Sequence, residues 1–110
     1  MTVREAAAKL GLNPYKDNCE GLNAEIGGCY IGDVLSLAML RIKRGDIWIT
    51  VQKDINVSAV AYMTGAAMVI TADGASLDKD AAASAAERGI PVFGSEKSAY
   101  ELATVLSDIL

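Results

Sequence analysis

A chain of 110 residues, 52% hydrophobic and 22% charged, can bury a full core and is excluded from the disordered class. The formal charge of −4, with grouped cations confined to Arg41, Lys43 and Arg44, excludes unspecific binding to nucleic acid or an anionic membrane, because phosphate contacts need clustered Lys and Arg. Histidine is absent, which removes Ser-His-Asp and Cys-His nucleophile systems and the commonest metal ligand together.

The chain opens on Thr2-Val-Arg-Glu5, a capping box whose hydroxyl and carboxylate both serve a helix start. Val3, Ala6, Ala7 and Leu10 form its apolar face and Gly11 ends it. Such an opening is similar to the first helix of a helix-turn-helix reader. The next stretch, Asn13 to Asn18, has no helical period, and the chain is acidic, so DNA reading is set aside. A short extended segment is expected near Tyr15 to Cys19. A central strand is expected over Ile26 to Ile31, with Gly27 and Gly28 permitting close backbone approach.

Asp33 stands where a helix N-cap belongs, ahead of a helix from Val34 to about Lys43 that Gly45 stops. The cluster Arg41, Lys43, Arg44 is read as offsetting that helix's macrodipole. Asp46 to Val51 is a β-branched run of the kind covered on both faces. Asp54 or Asn56 caps a small-residue helix from Val57 to about Thr64, and Ala67 to Thr71 is the next buried strand. Asp78 to Arg88 reads as an Ala-rich helix stopped by Gly89, and Pro91 to Phe93 as a short strand. Ser98-Ala-Tyr-Glu101 is a second capping box that launches a helix through Leu110.

This alternation predicts one α/β domain over residues 1–110: a three-layer α/β/α arrangement with a small, mostly parallel sheet and right-handed crossovers. Met1 to Glu5 carries a charge pair and no signal-peptide core, and the apolar stretch Val57 to Ile70 is too short to span a bilayer. A cytoplasmic protein without a membrane partner is expected. Cys19 and Cys29 form no Cys-x-x-Cys pair and cannot close a structural zinc site, so reduced thiols are expected, with a disulfide only where the two segments lie adjacent.

From Thr2 onward the chain resembles a small stand-alone DRTGG domain, related to the N-terminal domain of HPr kinase/phosphorylase and distantly to that of the muramoyl ligases. The resemblance is carried by Gly28, Tyr30-Ile-Gly-Asp33, Leu35-Ser36, Met39 and the run Gly45 to Gln52. Ala59-Val-Ala61, Ile90-Pro91 and Ser98 to Leu102 fit as well. The five-letter signature is largely replaced. Glu25, Ile26, Gly27, Gly28 and Cys29 stand in its places, and Gly28 alone matches. The resemblance implies an α/β/α regulatory or assembly module. Larger relatives of that family carry catalytic or nucleotide-sensing CBS domains, and stand-alone copies are linked with redox operons.

No catalytic constellation is present to read. Gly89-Ile-Pro-Val-Phe-Gly94-Ser-Glu96 is the nearest spelling to a phosphate loop, but it lacks the lysine and carries Glu96. No cofactor and no metal site is expected. Loops after parallel strands gather at one rim, where ligands prefer to bind. The candidate ligand residues are therefore Gly28, Gly32, Asp33, Gln52, Lys53, Asn56, Asp73 and Ser95. Gln52, Asn56 and Ser95 can donate and accept hydrogen bonds, and Lys53 can hold an anion. Helix capping is the plainer reading of Asp33 and Asn56, a turn that of Asp73-Gly74, and a solvated surface side chain that of Lys53.

The leading expectation is a non-enzymatic module that self-associates as a homodimer, relaying a signal or engaging a protein partner. The small residues of Ala59 to Met68 would allow close packing against a neighbour. The alternative is a sensor of an adenine nucleotide or similar metabolite at the rim. A small hydrolase or transferase with Asp33 or Asp73 as base comes last.

Overall fold

A computed structural model describes residues 1–14 and 21–110. In chain order the elements are α1 (Val3–Leu10), β1 (Asn13–Pro14), β2 (Gly28–Ile31), α2 (Leu35–Arg41) and β3 (Asp46–Thr50). They continue with α3 (Asn56–Thr64), β4 (Met68–Thr71), α4 (Lys79–Glu87), β5 (Val92–Gly94) and α5 (Ala99–Ile109). The strands order as β1-β5-β4-β3-β2. The last four run parallel, and β1 pairs antiparallel with β5. The extended segment expected near Tyr15 to Cys19 lies outside the described residues.

The three crossovers from β2 to β5 each step to the next strand in one direction. Right-handed connections of that kind lay their helices on a single face. Accordingly, Ala38 of α2, Val57, Val60 and Ala61 of α3, and Ala81 and Ala85 of α4 pack with Trp48, Val69 and Val92. The opposite face is covered by Val3, Ala6 and Leu10 of α1 and by Leu102 and Leu106 of α5. These helices meet Ile47, Ile49, Met68, Ile70 and Phe93. Adjacent strand residues thus feed opposite layers, as the period of two requires. The sheet is filled on both sides, which is why β3 and β4 read as unbroken apolar runs.

The strand expected at the centre, Ile26 to Ile31, is shorter and lies at the edge: β2 has alternating exposure and, among the described residues, a partner on one side only. The helix expected from Val34 to Lys43 spans Leu35–Arg41, and Asp33 does not cap it; its N-cap is Val34, with no side-chain bond. The small-residue stretch Ala59 to Met68 is also largely spoken for within the core. Val60, Ala61 and Met68 are buried, while Tyr62 and Met63 project outward.

Both capping boxes form. Thr2 accepts from the Glu5 N–H, and Ser98 from the Glu101 N–H, with each glutamate accepting the cap residue's own N–H. Bonds from the Thr2 N–H and hydroxyl hold the Glu5 carboxyl below its ordinary pKa. The part of the cap owed to that charge therefore stands above the ordinary carboxylate pKa and fades as pH falls through the lowered value. Thr2→Ala or Ser98→Ala is expected to cost about 1 kcal/mol each at neutral pH. Urea denaturation checks both, and an unchanged midpoint in either variant would contradict the assigned role.

Candidate functional site

The polar rim lies at the C-terminal ends of β2 to β5, and its groups largely satisfy one another. Asp33 Oδ1 accepts from the Thr50 hydroxyl at 2.9 Å and from the Val51 N–H at 2.8 Å. Its carbonyl accepts from Gln52 Nε2 at 2.6 Å, and the neighbouring Gly32 carbonyl accepts from the Trp48 indole N–H at 2.9 Å. Asp33 therefore ties the β2–α2 loop to the end of β3. Asp54, rather than Asn56, receives the first amide of α3: its Oδ1 accepts the Asn56 N–H at 2.7 Å. Lys53 and Asn56 are exposed.

In a parallel sheet a crevice opens where neighbouring connections leave to opposite faces. Here that place is between β4, which leads to α4, and β5, which leads to α5. The two loops bridge it. The Asp73 N–H donates to the Lys97 carbonyl and the Gly74 N–H to the Ser95 carbonyl, both at 2.9 Å. Asp73 and Gly74 both have positive φ, at 56° and 71°, in a turn closed by the Ala75 N–H on the Ala72 carbonyl. The Glu96 carboxylate lies over Gly74, with Oε2 2.6 Å from where a β-carbon would stand.

Of the residues expected at this rim, Gly32, Asp33, Gln52, Lys53, Asp73 and Ser95 lie on the loops that follow β2 to β5, and Asn56 is the first residue of α3. Gly28 does not join them. It begins β2 at the other end of the sheet, where a β-carbon would come 2.9 Å from Asp46 Oδ1. Asp46 is buried there and accepts the Lys43 N–H through Oδ2 at 2.8 Å. Beside it, Cys29 is exposed on the edge strand. Desolvation of its sulfur, helped by the Asp46 charge, pushes the thiol up to about 11. At neutral pH it stays a thiol and a poor nucleophile.

The opposite end of the sheet holds a cavity of about 370 Å³. It is formed where α2, α3 and α4 give way to β3, β4 and β5, and its walls include Arg44, Tyr62, Gly65, Arg88, Ile90 and Pro91. The Arg88 guanidinium stands over the Tyr62 ring, 5.3 Å from its centroid, a cation–π distance. Arg44 lies along Gly65, its guanidinium 3.2 Å from where a β-carbon would stand; Gly65 also has a φ of 77°. Since Tyr62 and Gly65 are three residues apart at the end of α3, both guanidiniums converge on one helical turn. The sequence reading assigns Arg44 to the macrodipole of its helix and gives Arg88 no role, so this site is not among its candidates. A signal was present: an Arg-Gly pair precedes two strands, at Arg44-Gly45 and Arg88-Gly89.

No protein-family model matches the sequence. No curated protein matches either. Among solved structures, the chain is similar to the crystal structure of the CBS and DRTGG domains of the regulatory region of Clostridium perfringens pyrophosphatase, complexed with its activator diadenosine tetraphosphate. The TM-score is 0.77 at 15% identity over 96% of this chain. The chain spans 45% of that structure's chain, a little under half. The likeness supports a DRTGG-like α/β fold. Among the described residues no helix is long and apolar enough to cross a membrane.

Proposed function

We propose that this chain is a non-enzymatic regulatory module that acts as a homodimer, joined through the β2 edge and the outer face of α2. One observation carries the reading. Ile31 on the edge strand, Val34 at the N-cap of α2, and Leu37 and Leu40 on α2 are 46%, 56%, 42% and 82% exposed. An edge strand flanked by exposed apolar side chains is a surface that proteins normally cover. The likeness to a regulatory region supports the regulatory role, and the kinship with HPr kinase/phosphorylase belongs to the same proposal. A cytoplasmic location fits it as well. Leu40→Glu is expected to convert a dimer into a monomer, because the side chain is 82% exposed in the single chain and adds little to its core. Analytical ultracentrifugation checks this, with circular dichroism to confirm the fold. A wild-type chain that stays monomeric from micromolar to millimolar concentration would overturn the dimer.

A second reading is a metabolite sensor, supported by the activator-bound state of the similar structure. Its proposed contacts are the rim groups Gly32, Asp33, Gln52, Lys53, Asn56, Asp73 and Ser95. Lys53 and Asn56 have the exposed side chains that such contact needs. Gly28 has no part in that rim.

A further inference from the structure

We propose that the cavity at the N-terminal ends of β3, β4 and β5 binds a small organic phosphate monoester through Arg44 and Arg88. The proposal stands apart from both readings above: it holds for a monomer and for a rim that binds nothing. Its first support is charge. In a chain of net charge −4, two guanidiniums meet the same turn of α3. Among the described residues neither is paired with a carboxylate. Glu25, the acid lining the cavity among the described residues, is engaged by the Met1 ammonium, which donates to its Oε2 at 2.9 Å.

Helix macrodipoles explain part of this arrangement, because Arg88 is the C-cap of α4 and Arg44 closely follows α2. They do not explain a shared open cleft of about 370 Å³, a volume within the range of small-ligand sites. The valence of the site indicates the ligand. A phosphate monoester is close to a dianion at neutral pH and matches two cations, whereas a simple carboxylate matches one. Guanidinium geometry also suits phosphate oxygens through paired N–H donors. The remaining wall indicates an organic group. Ala66, Ala67 and the Tyr62 ring offer accessible apolar and π surface that an inorganic ion cannot use.

Isothermal titration of the full chain with AMP, inorganic phosphate and adenosine tests the idea. AMP should bind and should weaken as salt is raised; phosphate should bind at least tenfold more weakly, and adenosine should show no heat. Arg44→Gln and Arg88→Gln should each weaken AMP at least tenfold, and the double variant should abolish binding. Lys9→Gln on the opposite layer should leave it unchanged. Circular dichroism and thermal unfolding establish that the variants remain folded. No binding of AMP or phosphate at millimolar concentration, phosphate binding as tightly as AMP, or equal AMP affinity in the folded double variant would each overturn the proposal.

Discussion

Trp48→Ala should lower the unfolding free energy by about 3–5 kcal/mol, the usual cost of removing a large aromatic side chain from a packed core. Trp48 is fully buried and sits in the layer between the sheet and the three crossover helices. Its indole N–H also holds the Gly32 carbonyl at 2.9 Å, so the loss empties a volume and frees an acceptor. For a domain of ordinary stability, about 5–15 kcal/mol, that is a large fraction. Trp48→Phe separates the two effects. It refills most of the space but supplies no donor, and should cost about 1–2 kcal/mol from the lost hydrogen bond and residual cavity. Urea denaturation followed by far-UV circular dichroism measures both, since the variants lose the only tryptophan. A cost below about 1 kcal/mol for Trp48→Ala would mean that the layer is packed otherwise.

Asp33→Ala should cost about 2–3 kcal/mol, the second large effect, although Asp33 itself is exposed. The reason lies in its partners. Thr50 is 2% exposed and directs its hydroxyl to Asp33 Oδ1, so the substitution leaves a buried donor without its acceptor. The Val51 N–H is exposed, and water can replace the carboxylate there. Asp33→Asn keeps an acceptor and loses only the charge-assisted share, so about 1 kcal/mol is expected. This pattern also bears on chemistry. A carboxylate serving as a general base would lose turnover in Asp33→Asn with stability unchanged, whereas a structural tie loses stability in proportion to its bonds. An unaltered urea midpoint in Asp33→Ala would return Asp33 to the candidate bases.

The legible parts of the fold were those set by local chemistry. Ile47 to Thr50 and Met68 to Thr71 are β-branched or apolar at every position, and both capping boxes sit within one helical turn. What could not be read was set at a distance. Asp33 has the identity of an N-cap, but its acceptor oxygen is claimed by Thr50 and Val51, which are 17 and 18 residues away. The strand beginning at Gly28 looks like a centrepiece because glycines allow close approach. Its place at the edge follows from three crossovers advancing in the same direction, which no single segment encodes. The Arg44 and Arg88 cavity was obscured for a similar reason. Each arginine alone is an ordinary helix-end cation, and only the packing of α2, α3 and α4 beside one another brings them to Tyr62 and Gly65.

The layer shared by α1 and α5 joins two helices about ninety residues apart in sequence, Val3–Leu10 and Ala99–Ile109, on one cluster. A ribosome therefore releases Val3, Ala6 and Leu10 long before Leu102 and Leu106 emerge to complete their shelter. Until then the side of the sheet bearing Ile47, Ile49, Met68 and Ile70 lacks half of its cover. The interval before α5 emerges is the one in which this fold most needs a chaperone, and a truncation that removes α5 should send the product to proteolysis or aggregates.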